Sequence, residues 1–115
     1  MKKAYYLSTC STCKKILDEI NVPNDLILQD IKTNKISPAQ LDEMKELAGG
    51  YEALFSRRAM KYRQMGLQDQ SLKEADYRRL ILEEYTFLKR PVFLIEGQIF
   101  IGSSKSTVSD LKKAL

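Results

Sequence analysis

Two cysteines in the run Cys10-Ser11-Thr12-Cys13 are the residues of this 115-residue chain whose type and spacing best suit chemistry. A thiolate is a nucleophile that carries electrons itself, and a second thiol at this spacing can attack a mixed disulfide formed on the first. The pair admits two other readings: small apolar fillers of a tight junction, or half of a zinc site shared between two chains. Within one chain two thiolates cannot complete a four-thiolate site, so no metal is expected there. The sequence holds no histidine, which removes Ser-His-Asp and Cys-His catalysis and the commonest metal ligand. Nineteen basic against fifteen acidic side chains leave a net charge of +4. That excess suits a small anionic substrate or an acidic partner and is too weak to indicate direct nucleic-acid binding.

The pair needs elements to hold it. Lys3–Leu7 is short, aromatic and strand-like, and Thr12–Ile20 places Ile16, Leu17 and Ile20 at helical spacing. Leu26–Gln29 reads as a second strand. Ser37 with Pro38 and Gln40 predicts a capped helix whose apolar stripe is Leu41, Met44 and Leu47, ended by Gly49-Gly50. Tyr51–Met65 is helical in propensity and dense in basic residues. Ser71, with Glu74 three residues on, predicts the cap of a helix running to about Tyr85. Val92–Ile95 is an apolar strand, Glu96-Gly97-Gln98 a turn, Ile99–Ile101 its hairpin partner, and Ser106–Leu115 a last helix.

The order β-α-β, then helices, then β-β-α predicts one α/β domain over residues 1–115. Its mixed four-stranded sheet is covered by helices, with a helical insertion between the two halves. A C-x-x-C at the first strand-helix junction of a βαβ unit points to a thioredoxin-like redox motif. The unpaired amides at the start of that helix favour a thiolate, and Lys14 and Lys15 add positive charge nearby. Cys10, at or just before the cap, is the expected nucleophile, and Cys13, one turn further in, the expected resolving thiol. Arg90-Pro91 precedes a buried strand, where the proline marks the strand start or forms a cis bond beside the thiol. No apolar segment follows Lys2-Lys3 and the best apolar run is the four residues Val92–Ile95. A cytoplasmic location without membrane association is therefore expected.

A cysteine closing the first strand, with Arg-Pro before an apolar strand about eighty residues later, resembles the arsenate reductase family, which includes the Spx regulators of Gram-positive bacteria. The segment Gly50-Tyr51-Glu52-Ala53-Leu54-Phe55-Ser56-Arg57-Arg58 is similar to that family's Gly-x-x-x-hydrophobic-hydrophobic-x-x-Arg run, and Gly97-Gln98-Ile99-Phe100-Ile101-Gly102 follows the Arg-Pro strand as in the family. The resemblance implies a thioredoxin-like fold. It implies Cys10 as nucleophile, Arg58 and Arg90 as holders of an anion or of the cysteine adduct, and Ser11, Thr12 and Pro91 as substrate-contacting positions. The chain departs from arsenate-reducing members at two places, with Tyr6 where they carry a histidine and Gly102 where they carry a third arginine. Cys13 creates the C-x-x-C found in Spx proteins and absent from glutaredoxin-coupled arsenate reductases.

Two functions follow as expectations. The first is a thiol oxidoreductase in which Cys10 attacks an oxyanion or a disulfide and Cys13 or an external thiol resolves the adduct. It needs no metal or organic cofactor, and glutathione, glutaredoxin or thioredoxin would serve as donor. The second is an Spx-like redox sensor whose Cys10–Cys13 disulfide alters contact with RNA polymerase, with Gly50 and the Arg57–Arg63 stretch contributing the partner surface.

Overall fold

A computed structural model describes residues 1–115 as five helices, four strands and three short 3-10 turns. In chain order these are β1 (Lys2–Tyr6), α1 (Ser11–Ile20), β2 (Leu26–Asp30), α2 (Pro38–Ala48), α3 (Met60–Gln64), α4 (Glu74–Glu83), β3 (Val92–Ile95), β4 (Gln98–Ile101) and α5 (Lys105–Ala114). The 3-10 turns are Glu52–Leu54, Leu67–Asp69 and Tyr85–Phe87. The chain forms two compact units, Met1–Lys35 with Arg90–Leu115, and Ile36–Lys89.

The first unit carries the sheet, in the order β2-β1-β3-β4. β1 pairs in parallel with β2 and antiparallel with β3, which continues antiparallel into β4. This is the mixed four-stranded architecture the element order predicts. The parallel β1–β2 pair needs a crossover, and α1 supplies it. Ile16 and Ile20 of α1 and Val108 and Leu111 of α5 pack with Ala4, Leu26, Phe93 and Ile95 in one apolar cluster. Ala4 lies opposite Phe93 in register, so the small residue makes room for the large one. The β3–β4 turn is tighter than expected: Gln98 belongs to β4 and pairs with Ile95, leaving Glu96 and Gly97 as the loop. Both have left-handed backbones, φ 47° and 83°, as a two-residue turn matched to strand twist requires. The last helix also starts earlier than expected, at Lys105 rather than Ser106. The Ser104 hydroxyl accepts the Thr107 amide at 3.2 Å and serves as its cap.

In the second unit the capping box at Ser37 forms as expected. The Ser37 hydroxyl accepts the Gln40 amide at 3.1 Å and the Gln40 side chain accepts the Ser37 amide at 3.0 Å. Leu41 and Met44 are buried, whereas Leu47 is 40% exposed and lies outside the core. The continuous helix expected over Tyr51–Met65 does not form. Phe55 instead bridges antiparallel to Leu88: the Ser56 amide donates to the Phe87 carbonyl and the Lys89 amide to the Leu54 carbonyl. The buried Phe55 ring stacks on Phe87 at 5.0 Å and tilts against Tyr77 at 4.9 Å. Long-range pairing and aromatic packing override local propensity here.

Ser71 is likewise not a cap. α4 starts at Glu74, where the Lys73 amide donates to the Asp76 carboxylate at 2.9 Å. Glu74 accepts the amides of Tyr51 and Glu52 at 2.7 and 3.1 Å, capping the Glu52–Leu54 turn in place of its own helix. α4 also stops at Glu83, short of the expected Tyr85.

Two predictions test these contacts. Phe93 is 1% exposed in the apolar cluster, so Phe93→Ala should cost about 3–5 kcal/mol in a denaturant titration. Asp42 accepts two hydrogen bonds from the Arg78 guanidinium, at 2.9 and 3.2 Å, and one from the Tyr51 hydroxyl at 2.6 Å. The Arg78 side chain foremost, then Tyr51, holds the Asp42 carboxyl down at about 2. A folded-state value below the unfolded one stabilises the protein above the unfolded value, and that contribution is lost as pH falls through the folded value. Thermal melts should therefore show Asp42→Asn less stable than the wild type at neutral pH, with the gap closing between about pH 4 and about pH 2.

Candidate functional site

The site is built on the junction that follows β1. The chain leaves the sheet at Tyr6, whose carbonyl accepts the Ile31 amide at 2.9 Å, and turns so that the Cys10 amide donates to the Leu7 carbonyl at 3.0 Å. A carboxylate from the next strand pins this turn. Asp30, at the end of β2, accepts the Ser8 amide at 3.3 Å and the Lys32 amide at 3.2 Å. The Ser8 hydroxyl is the main cause that lowers the Asp30 carboxyl below its ordinary value. Asp30 has no place in the sequence reading; the signal available was an Asp followed two residues on by the amide it caps.

Cys10 is the N-cap residue of α1, with extended backbone and its carbonyl accepting the Lys14 amide at 3.2 Å. No side-chain oxygen caps the helix, and the Cys10 sulfur lies where one would, facing the first-turn amides. Both cysteines are free thiols; Cys10 is half-buried and Cys13 fully buried. Partial burial pushes the Cys10 thiol up. The Cys13 amide and thiol, the Thr12 amide and the charge of Arg90 outweigh it, so the net shift is downward. Cys13 moves the other way. Burial foremost, aided by the adjacent Cys10 charge against the opposing Leu7 amide, pushes it up to about 11. Two like thiols one helical turn apart are thus driven in opposite directions.

Arg90 is half-buried, and its charge bears on both sulfurs. The Arg90–Pro91 bond is cis and Pro91 is buried. The Pro91 carbonyl accepts the Gly102 amide at 2.9 Å. Gly102 has φ +87°, a left-handed backbone that a residue with a side chain would hold only under strain. Ser11 and Thr12 are exposed in the first turn of α1. Lys14 and Lys15 are exposed further along it, and the named charge acting on Cys10 is that of Arg90. The first unit therefore brings together Cys10, Ser11, Thr12, Cys13, Arg90 and Pro91.

Arg58 belongs to the second unit, where it sits exposed on the turn that follows Phe55. Its neighbour Arg57 is engaged by Glu52 at 2.8 Å and by the Tyr77 hydroxyl at 2.9 Å. A Cβ on Gly50 would come within 3.0 Å of a Glu74 carboxylate oxygen, so glycine there answers a packing need. No three or more His, Cys, Asp or Glu side chains converge as a metal site, and no helix is long and apolar enough to cross a membrane.

The sequence profile of the ArsC family matches residues 5–111. The chain belongs to the ArsC family. Solved structures agree with this. The YFFB protein superposes with a TM-score of 0.81 at 25% identity, over 100% of this chain and 99% of its own. A protein described as a possible arsenate reductase from Streptococcus mutans superposes at 0.72 with 26% identity, over 96% and 97% of the two chains. Arsenate reductase from Vibrio cholerae, at 15% identity, shares the fold with a TM-score of 0.77 over 99% and 97%. No curated protein sequence matches significantly. This ArsC-family chain thus has the mixed four-stranded sheet expected from its element order and the thioredoxin-like fold that the family resemblance implied.

Thiol titration by ultraviolet absorbance should resolve two steps, Cys10 below the ordinary cysteine value and Cys13 near 11. Arg90→Met should raise the Cys10 midpoint, because the guanidinium charge favours the thiolate, and by less than loss of the Cys13 contacts would.

Proposed function

We propose that this ArsC-family protein is a thiol-dependent oxidoreductase in which Cys10 is the nucleophile and Cys13 the resolving thiol. The observation that carries this reading is the opposed displacement of the two thiols: the half-buried Cys10 sulfur at the helix start is drawn below the ordinary thiol value, and the buried Cys13 is pushed up to about 11. In the first step the Cys10 thiolate attacks one sulfur of a disulfide R–S–S–R. The Cys10–S–S–R bond forms, and the other half leaves as R–S⁻ with the electron pair of the broken bond. Cys10 then carries no charge and accepts no hydrogen bond, so two of the causes that hold Cys13 up disappear. Cys13 gives its proton to the R–S⁻ released in the first step, attacks Cys10 and releases the second R–S⁻, leaving a Cys10–Cys13 disulfide. The pair has supplied two electrons, and an external thiol (glutathione, glutaredoxin or thioredoxin) restores it. A reducing cytoplasm would supply that donor.

Arg90 stabilises the attacking thiolate, and Ser11, Thr12 and Pro91 border the incoming group. Arg58 is the proposed second anion-holding arginine. Disulfides are favoured over oxyanions because Tyr6 and Gly102 stand where arsenate-reducing relatives carry a histidine and an arginine.

Single-turnover reaction of the reduced protein with a small disulfide tests the roles. Cys10→Ser should slow release of the first thiol by more than about tenfold. The only thiol left in that variant, Cys13, is fully buried, and burial still pushes it up and keeps it from the incoming disulfide. Cys13→Ser should release one thiol and stop at a mixed disulfide seen by mass. Equal rates for wild type and Cys10→Ser would sink the assignment. A reversible Cys10–Cys13 disulfide without turnover, together with redox-dependent capture of RNA polymerase, would support the Spx-like regulatory reading instead.

A further inference from the structure

A cleft of about 420 Å³ lies between α1 and α5, within the first unit. That volume is in the range of small-molecule sites. One wall is a helical stripe of α1, Thr12, Lys15 and Glu19, and the other a stripe of α5, Lys105, Ser109 and Lys112. The charges along it are unevenly balanced. Lys112 pairs with Glu19 at 2.7 Å and closes one end; Lys105, the first residue of α5, and Lys15, midway along α1 with its charge also bearing on Glu19, are in no ion pair. The cleft therefore carries two positive charges in excess, three lysines against one glutamate, with hydroxyls between them. Thr12 ties it to the thiol, because its side chain lines the cleft while its amide hydrogen-bonds Cys10.

We infer that this cleft binds the anionic part of the substrate of Cys10, and that the substrate is an anionic disulfide. Its carboxylate sits between Lys15 and Lys105 while its S–S bond is presented to the Cys10 sulfur beside Thr12. The inference rests on the thiol chemistry proposed above and adds its specificity. Lysine ammoniums and hydroxyls suit a carboxylate oxygen, and the distance from cleft to thiol, a single residue, suits a small molecule. Glu19 withholds Lys112 from the ligand, so the Lys15–Lys105 end is the recognition end.

The test uses the reduced full-length protein at low salt and two probes, the dianionic dithiobis(nitrobenzoate) and the neutral bis(hydroxyethyl) disulfide. The rate of mixed-disulfide formation on Cys10 is measured with each. Lys15→Gln/Lys105→Gln should slow reaction with the dianion about tenfold and abolish most of its salt dependence, while the neutral probe changes by less than about twofold. Lys113→Gln, which removes an exposed α5 charge outside the cleft, should change the dianion rate by less than about twofold. An unchanged dianion rate in the double variant, or equal slowing with both probes, would overturn the cleft assignment and leave the thiol chemistry standing. A wild type that reacts with neither probe would overturn both.

Discussion

The Cys10 sulfur faces the amides of Thr12 and Cys13 because the chain makes a hydrogen-bonded turn between β1 and α1 and has no other residue to cap the helix. The first amides of any helix need an acceptor, and where no oxygen is offered a thiolate fills the role. That one constraint sets the rest of the first unit. Leu7 must close the turn, Asp30 must hold Ser8 from the neighbouring strand, and α1 must run back over the sheet to bury Cys13, Ile16 and Ile20. The difference between the two thiols follows from geometry alone: three residues along a helix is one turn, which carries the second sulfur from the rim into the core.

The contacts around Arg90 show how the hairpin serves the same end. β3 begins directly after Pro91, and the Gly102 amide returns from the far end of β4 to the Pro91 carbonyl. The left-handed backbone at Gly102 makes that return and turns the chain into α5. Space is open beside Gly102, so it is the left-handed backbone, and not crowding, that favours glycine there.

What was legible in the sequence was what local rules decide. The thiol pair at a strand-helix junction, the Ser37 capping box and the hairpin all depend on residues within a few positions of one another, and the parallel crossover follows from the order of the elements alone. The failures share a cause. Tyr51–Met65 has helical propensity, but Phe55 is claimed by Leu88 and by the rings of Tyr77 and Phe87. Glu74 looks like the third residue of a capping box, but amides more than twenty residues away take its carboxylate. The lysine cleft was invisible for the same reason: Lys15 and Lys105 are about ninety residues apart and line one cleft only because α1 and α5 pack into the same apolar cluster.

The distribution of charge makes a related point. The densest basic run, Arg57 to Arg63, looks from the sequence like the natural place for an anion. Within its own unit much of that charge is already answered, Arg57 by Glu52 at 2.8 Å and Lys61 by Glu84 at 2.7 Å. Such partly exposed pairs add little stability, but they cancel field, and field is what a ligand feels. Of the three lysines that line the cleft between α1 and α5, only Lys112 has a carboxylate partner. The density of basic residues along the sequence is therefore a poor guide to local field, which depends on how many of the charges are paired.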